Sequence, residues 1–129
     1  MGYYTYFTLD ILNKNELPES IEFDVAIALS RLDYFKWYND EEKQNELEQN
    51  LRKYSNPIDF VISTESEKWY DHESDMMEIA KQFPNCKFAL YGDGEDKDDF
   101  WIDYYYGDNF KHCRGYREYD PAPEWAEYT

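Results

Sequence analysis

The sequence is poor in cations and in long apolar runs. Among its 129 residues are 13 Lys and Arg against 29 Asp and Glu, which gives a net charge of -16 at pH 7. Nucleic acid and anionic membrane surfaces repel such a chain, so direct binding to either is not expected. No apolar stretch approaches the ~20 residues that a membrane-spanning helix needs. We therefore expect neither nucleic acid nor a membrane among the partners.

The chain also has few glycines and cysteines, five and two respectively. No glycine-rich phosphate loop and no nucleophile elbow occurs in the sequence. Cys86 and Cys113 lack the paired spacing of zinc ligands. His112 precedes Cys113 on a predicted strand, where neighbouring side chains point to opposite faces. The sequence therefore predicts no catalytic residue, no metal site and no cofactor.

The first residues show neither the basic region nor the apolar region of a signal peptide. We expect a cytoplasmic protein with both thiols reduced, because disulfides are rare in that compartment. Aromatic residues are abundant, at 20% of the chain. Disordered acidic segments lack aromatics, so we expect residues 1–129 to fold as a single domain, with a C-terminal tail at 120–129.

Hydrophobic periodicity predicts both strands and helices. The predicted strands are 3–12, 58–64, 86–91, 100–106 and 110–119, and the predicted helices are 21–35, 41–54 and 69–83. This order predicts an α+β single-domain sandwich, with a mixed or mostly antiparallel sheet of about five strands and helices on one face, ferredoxin-like with additions. Tyr and Trp on the other face would form a binding platform or a homodimer interface.

The most polarised stretch runs from 93 to 108, with seven acidic residues, one lysine and five aromatics. It does not match an EF-hand, because Lys97 occupies a ligand position and Asp98 the position that requires glycine. A solvated hairpin loop and a different type of calcium site are the alternatives to a partner-binding surface. The predicted partner-binding residues are Asp93, Glu95, Asp96, Asp98, Asp99, Trp101 and Asp103.

A basic cluster follows at Lys111, His112, Arg114 and Arg117. If strands 100–106 and 110–119 pair as a hairpin, these cations face Asp103 and its neighbours, which stabilises the pair modestly. The alternative is an anionic ligand, such as a nucleotide signal, bound by Lys111, Arg114 and Arg117.

His72 lies among carboxylates in the sequence Trp69-Tyr70-Asp71-His72-Glu73. The simple interpretation is a surface histidine hydrogen-bonded to a carboxylate. An acid–base site of His72 with Asp71 or Asp75 is an alternative, as is a metal-assisted hydrolase that uses the acidic loop and His72.

Three segments resemble small proteins of bacteriophages and mobile elements. They are the opening MGYYT, the block KWYDHE at 68–73, and the run from QFP to DFW at 82–101. The order of an aromatic-rich segment, a helix ending in Phe-Pro and an antiparallel hairpin is also similar to the YubB/Api92-like ferredoxin-type domains of mobile elements. The resemblance implies a phage accessory protein in a bacterial host, of the kind that inhibits host defence. It carries over no catalytic residue.

These features lead to one hypothesis, which is a non-enzymatic protein that binds and blocks a basic, nucleic-acid-handling bacterial protein. Anti-CRISPR and anti-restriction proteins belong to this class. The loop carboxylates would engage Lys and Arg, partly by imitating the phosphates of a duplex, and aromatic side chains would act as desolvated anchors. The nucleotide sponge and the metal-assisted hydrolase remain the alternatives.

Overall fold

A computed structural model describes residues 3–35, 41–62, 66–116 and 119–126, and in them four strands form one antiparallel sheet. The strands are β1 (Thr5–Ile11), β2 (Phe88–Gly94), β3 (Phe100–Tyr106) and β4 (Asn109–Arg114). They lie in chain order, β1-β2-β3-β4, and each is antiparallel to the next. The predicted α+β class and antiparallel sheet are confirmed, with four strands rather than about five.

The described helices are inserted between β1 and β2. They are α1 (Ile21–Ser30), α2 (Glu41–Leu51), α3 (Pro57–Val61) and α4 (His72–Gln82). Because α3 contacts β1 and α4 contacts β3, the helices cover one face of the sheet. β1 and β2, which are neighbours in the sheet, are thus joined by one long helical insertion. This connection differs from a split βαβ arrangement. Within the described residues no helix has both the length and the apolarity needed to span a bilayer.

Helix α3 replaces the strand predicted at 58–64, and that prediction is wrong. Pro57 occupies the start of the helix, where a backbone N–H has no intrahelical partner to lose. Ile58 and Ile62 are buried, and the helix packs against α1 and β1. Burial and the helix start outweigh the strand preference of the sequence here. Residues 63–64 lie outside the described residues.

The two faces of the sheet have separate apolar clusters. The cluster beneath the helices contains side chains from β1, β2 and β3, which are Phe7, Leu9, Ile11, Phe88, Leu90, Trp101 and Tyr105. The cluster on the opposite face is smaller and contains Leu12, Ala89, Ile102, Tyr104, Cys113 and Ala126. The main core therefore lies between the helices and the sheet.

The C-terminal segment covers part of the face that was predicted to be open. Trp125 packs against Tyr104 and Tyr106, with ring centroids 6.3 and 5.4 Å apart. Tyr4 and Tyr6 at the other edge of the sheet remain 41% and 56% exposed. The tyrosine platform is thus reduced to a strip along β1.

A two-residue turn at Gly107 and Asp108 sets the register of β3 against β4. Gly107 has a φ of 58°, a left-handed conformation that glycine adopts without steric cost. The turn pairs Tyr106 with Asn109, and the same register places Asp103 opposite His112. The turn therefore fixes which side chains meet across the hairpin.

Gly92 gives space to a tryptophan side chain. The register of β2 and β3 places Gly92 opposite Trp101. A Cβ atom at position 92 would lie 2.1 Å from Cζ2 of the indole. The indole therefore lies directly against the β2 backbone.

We expect Gly92→Ala to lower the free energy of unfolding by about 1–3 kcal/mol, because the added methyl group has no room beneath the indole. Urea denaturation measures the change. In a Trp101→Leu background the same substitution should cost clearly less, since the smaller side chain frees the space. Equal costs in both backgrounds would contradict this explanation.

Candidate functional site

A cleft of about 490 Å³ opens between the start of α4, the β2–β3 loop and β4. The residues that line it are His72, Glu73, Asp96, Asp98, Asp99, Phe100, Trp101, Asp103, His112 and Arg114. Five of them carry a carboxylate and one carries a guanidinium, so the cleft is anionic. Three elements distant in sequence thus bring both histidines and part of the acidic loop together.

Asp103 lies at the floor of the cleft and is only 1% exposed. His112, opposite on β4, places its ring Nδ1 against Oδ1 of this carboxylate in a short hydrogen bond. Since a carboxylate only accepts hydrogen bonds, Nδ1–H is the donor, and Nε2 of a neutral ring is left as an acceptor. Burial raises the pKa of Asp103 above its usual range, and the bond from His112 opposes that rise. The predicted pairing with Asp103 is therefore met by His112, whereas Lys111 of the same cluster lies on the opposite face of β4.

His72 is the first residue of α4 and forms one wall of the cleft with Trp101. The two rings are stacked, with centroids 4.9 Å apart and planes inclined by 18°. Nδ1 of His72 lies 4.0 Å from Oδ2 of Asp103 and is buried without a hydrogen-bond partner. Burial lowers the pKa of His72, and the neighbouring Asp103 and Glu73 carboxylates only partly offset this effect. Burial therefore favours the neutral form of His72.

Trp69 fixes the position of this histidine. Its Nε1–H donates to Oδ2 of Asp75 at 2.8 Å, which ties it to the first turn of α4. Its ring packs against Phe7 and Phe35, with centroids 5.3 and 4.7 Å away. His72 Nδ1 has no hydrogen-bond partner among the described residues, so the alternative of an acid–base pair with Asp71 or Asp75 is not assembled through this nitrogen. The carboxylate that His72 faces is Asp103.

Tyr3 ties the acidic loop to the strand region before β1. Its hydroxyl donates to Oδ2 of Asp99 at 2.5 Å and accepts from the backbone N–H of Asp96 at 3.1 Å. The bond to Asp99 raises the pKa of the Tyr3 phenol. Glu95 accepts a bond of 2.7 Å from the backbone N–H of Tyr4. These contacts set the loop conformation in which Asp96 and Asp98 border the cleft.

The seven predicted partner-binding residues do not form one surface. Asp96, Asp98, Asp99, Trp101 and Asp103 line the cleft. Asp103 is 1% exposed and Trp101 is 9% exposed, so neither projects from the surface, and their part in partner binding stays a prediction. They form the floor and wall because their strand positions face the helices.

The remaining two lie outside the cleft. Asp93 is exposed on β2, and its pairing with Tyr6 and Phe100 places it on the opposite face of the sheet. Glu95 is exposed but engaged by the N-terminal strand region. Alternation along β2 explains why neighbouring acidic residues diverge.

The predicted anion site is not assembled. Lys111 and Arg114 are three residues apart on β4, so their side chains lie on opposite faces. Lys111 Nζ donates to the Pro121 carbonyl at 2.8 Å, whereas Arg114 lines the cleft and lies over the Tyr116 ring. Arg117 lies outside the described residues. The structure therefore does not bring Lys111 and Arg114 together in one pocket, as the nucleotide alternative requires.

The described residues include no group of three or more His, Cys, Asp and Glu side chains arranged to hold a metal ion. Cys86 and Cys113 are buried free thiols in different apolar clusters. Burial raises the pKa of Cys86 to about 11 and also raises that of Cys113, which disfavours a reactive thiolate. The cleft therefore presents a group of carboxylates beside two histidine rings, an arrangement that attracts cations.

The sequence interpretation missed the meeting of His72 and His112 around one aspartate. One signal was present, since alternation places Trp101, Asp103 and Tyr105 on the same face of β3. A single acidic residue between two large aromatics on a core face requires a polar partner. The position of His72 depends on how α4 packs, which no local pattern encodes.

A His72→Phe variant tests the neutral state of this histidine. An unfolded histidine binds a proton near pH 6.5, whereas folding lowers the pKa of His72. The unfolded chain therefore gains a proton first as the pH falls, and the wild type loses stability below about pH 6.5 relative to the variant. Urea denaturation between about pH 8 and about pH 5 measures this difference. A difference that does not change with pH would contradict the neutral buried state.

Substitutions of Asp103 test the orientation of His112. With Asp103→Asn a carbonyl acceptor is kept, so we expect neutral His112 to retain its proton on Nδ1. With Asp103→Leu the acceptor is lost, and the proton should shift towards Nε2. Nitrogen-15 NMR of the imidazole rings distinguishes the two tautomers. An Nε2–H tautomer in the wild type would overturn the assignment.

Comparison with known proteins gives no further guide to this site. No protein family, no curated protein and no solved structure matches the chain. The function is therefore inferred from the geometry and charge of the cleft.

Proposed function

We propose that the protein binds a basic surface of another protein through this cleft, whose rim carboxylates hold a Lys or Arg side chain of the partner. The observation that supports it is the convergence of Glu73, Asp96 and Asp98 on one concave site. All three are exposed, and none has an ion-pair partner among the described residues. A bound cation would relieve their mutual repulsion.

The shape of the site strengthens this attraction. A cleft with partly buried walls has a lower effective dielectric constant than open water, and it focuses the field of its charges. The stacked rings of His72 and Trp101 provide an apolar wall for the aliphatic stem of the bound side chain. The cleft thus matches both parts of a lysine or arginine, the charged head and the apolar stem.

The partner class that we propose is a basic, nucleic-acid-handling protein of a bacterial host. Such proteins expose Lys and Arg to bind phosphate groups. A ligand with a net charge of -16 competes with nucleic acid for that surface. Together with the resemblance to phage proteins, this favours a counter-defence inhibitor in the bacterial cytosol, of the anti-CRISPR or anti-restriction kind.

The rim carboxylates are tested by a pair of variants with equal charge. We expect Asp96→Asn/Asp98→Asn to weaken binding of the captured partner about tenfold or more, because two contacts of the cleft are lost. Asp93→Asn/Asp108→Asn removes the same charge at exposed positions away from the cleft and should change affinity little. Affinity capture from bacterial lysate, followed by titration of the captured protein, gives both values.

Arg114 provides a control of opposite sign, since it is the cation that lines the cleft. Arg114→Gln should tighten binding of the same partner, and salt should weaken binding for every variant that still binds. Equal affinities for the rim variant and the control variant, or binding that salt leaves unchanged, would overturn the proposed function.

A further inference from the structure

The outer edge of β4 presents unpaired backbone groups. β4 is the last strand of the sheet. In a hairpin closed by a two-residue turn, Asn109, Lys111 and Cys113 exchange backbone bonds with β3, so the residues between them direct their N–H and C=O groups outward. Among the described residues, no backbone bond is made on the outer side by Phe110 and His112.

The other edge of the sheet is partly closed. Thr5 of β1 exchanges two backbone bonds with Glu67, of 2.9 and 2.8 Å. Helix α3 packs against the same strand. Gly115, the residue after β4, likewise forms an antiparallel bridge with Tyr119. Both edges of the sheet are therefore paired in part, and the free stretch of the β4 edge is at Phe110 and His112.

The free stretch of the β4 edge borders the acidic cleft. His112 and Arg114 of β4 both line the cleft. A strand added along β4 would lie about 4.8 Å from it and would place every second side chain on the cleft face. Lys111, a residue type that opposes edge pairing, is held on the other face by the Pro121 carbonyl.

We infer that β4 accepts an extended basic segment of the partner as a fifth, antiparallel strand, and that alternate Lys or Arg side chains of this segment enter the acidic cleft. The inference rests on the proposed function and adds the conformation and spacing of the bound segment. Backbone bonds supply affinity in this mode of recognition, and alternate side chains supply specificity.

Charge decides between this occupant and a second copy of the chain. A second copy would bring another net charge of -16 to the interface. Pairing of two β4 strands would also bring the basic side chains of both copies together. A basic segment meets the carboxylates of the cleft instead.

N-methylated peptides test the backbone pairing without changing the protein. The probe is a capped peptide of alternating Lys and Thr, of about nine residues. In an antiparallel pair the residue opposite His112 shares its face and exchanges bonds with it, so the lysine amides point towards β4. Methylation of the lysine amides should weaken binding about tenfold or more, whereas methylation of the threonine amides should change it little.

All these peptides carry the same charge, so calorimetric titration separates pairing from simple attraction. Hydrogen exchange adds a residue-level measure, since the amide of His112 should become protected on binding while that of Lys111 is already bonded to β3. Equal binding of the two methylated peptides, with no protection at His112, would overturn the edge pairing and leave cation binding by the cleft intact. If no peptide binds and basic proteins are not captured, the proposed function itself fails.

Discussion

The buried carboxylate of Asp103 is the constraint on which the cleft depends. An ion removed from water costs several kcal/mol unless partners compensate it, and Asp103 is almost fully buried. Its partner is His112, and the turn at Gly107 sets the register that brings the two together. A slip of one residue in this pairing would place Lys111 or Cys113 opposite Asp103 and would move His112 to the other face of the sheet. The turn, the pair and the floor of the cleft are therefore established together.

The acidic residues around this floor have two different uses. Some are engaged inside the fold, where Asp75 accepts from an indole, Glu95 from a backbone amide and Asp99 from a tyrosine hydroxyl. Others, such as Asp96 and Asp98, border the cleft without an ion-pair partner in the described part of the chain. Net charge alone does not locate a site. The site is where unpaired carboxylates meet a concave surface.

The sequence shows where the acidic residues are but not which of them are engaged inside the fold, and this is the limit of prediction. Alternation and helical spacing correctly place β1, β3 and α4, because each has a strong local pattern with one face in the core. The strand prediction at α3 fails for a local reason. Pro57 signals the start of a helix, but the residues after it prefer strands, and the prediction follows that preference. The approach of His72 to Asp103 has no local cause. It follows from the packing of Trp69, so only the assembled structure shows it.

The C-terminal segment narrows the surfaces on which a partner can bind. By packing Trp125 against Tyr104 and Tyr106, it covers much of the aromatic platform that the sequence suggested. The uncovered tyrosines are Tyr4, just before β1, and Tyr6 within it, and the outer edge of this strand is already bonded in part. Self-association through this strip would join two strongly anionic chains, which repel each other. The cleft and the β4 edge beside it combine unpaired charge with unpaired backbone, and both features favour a basic partner of a different kind.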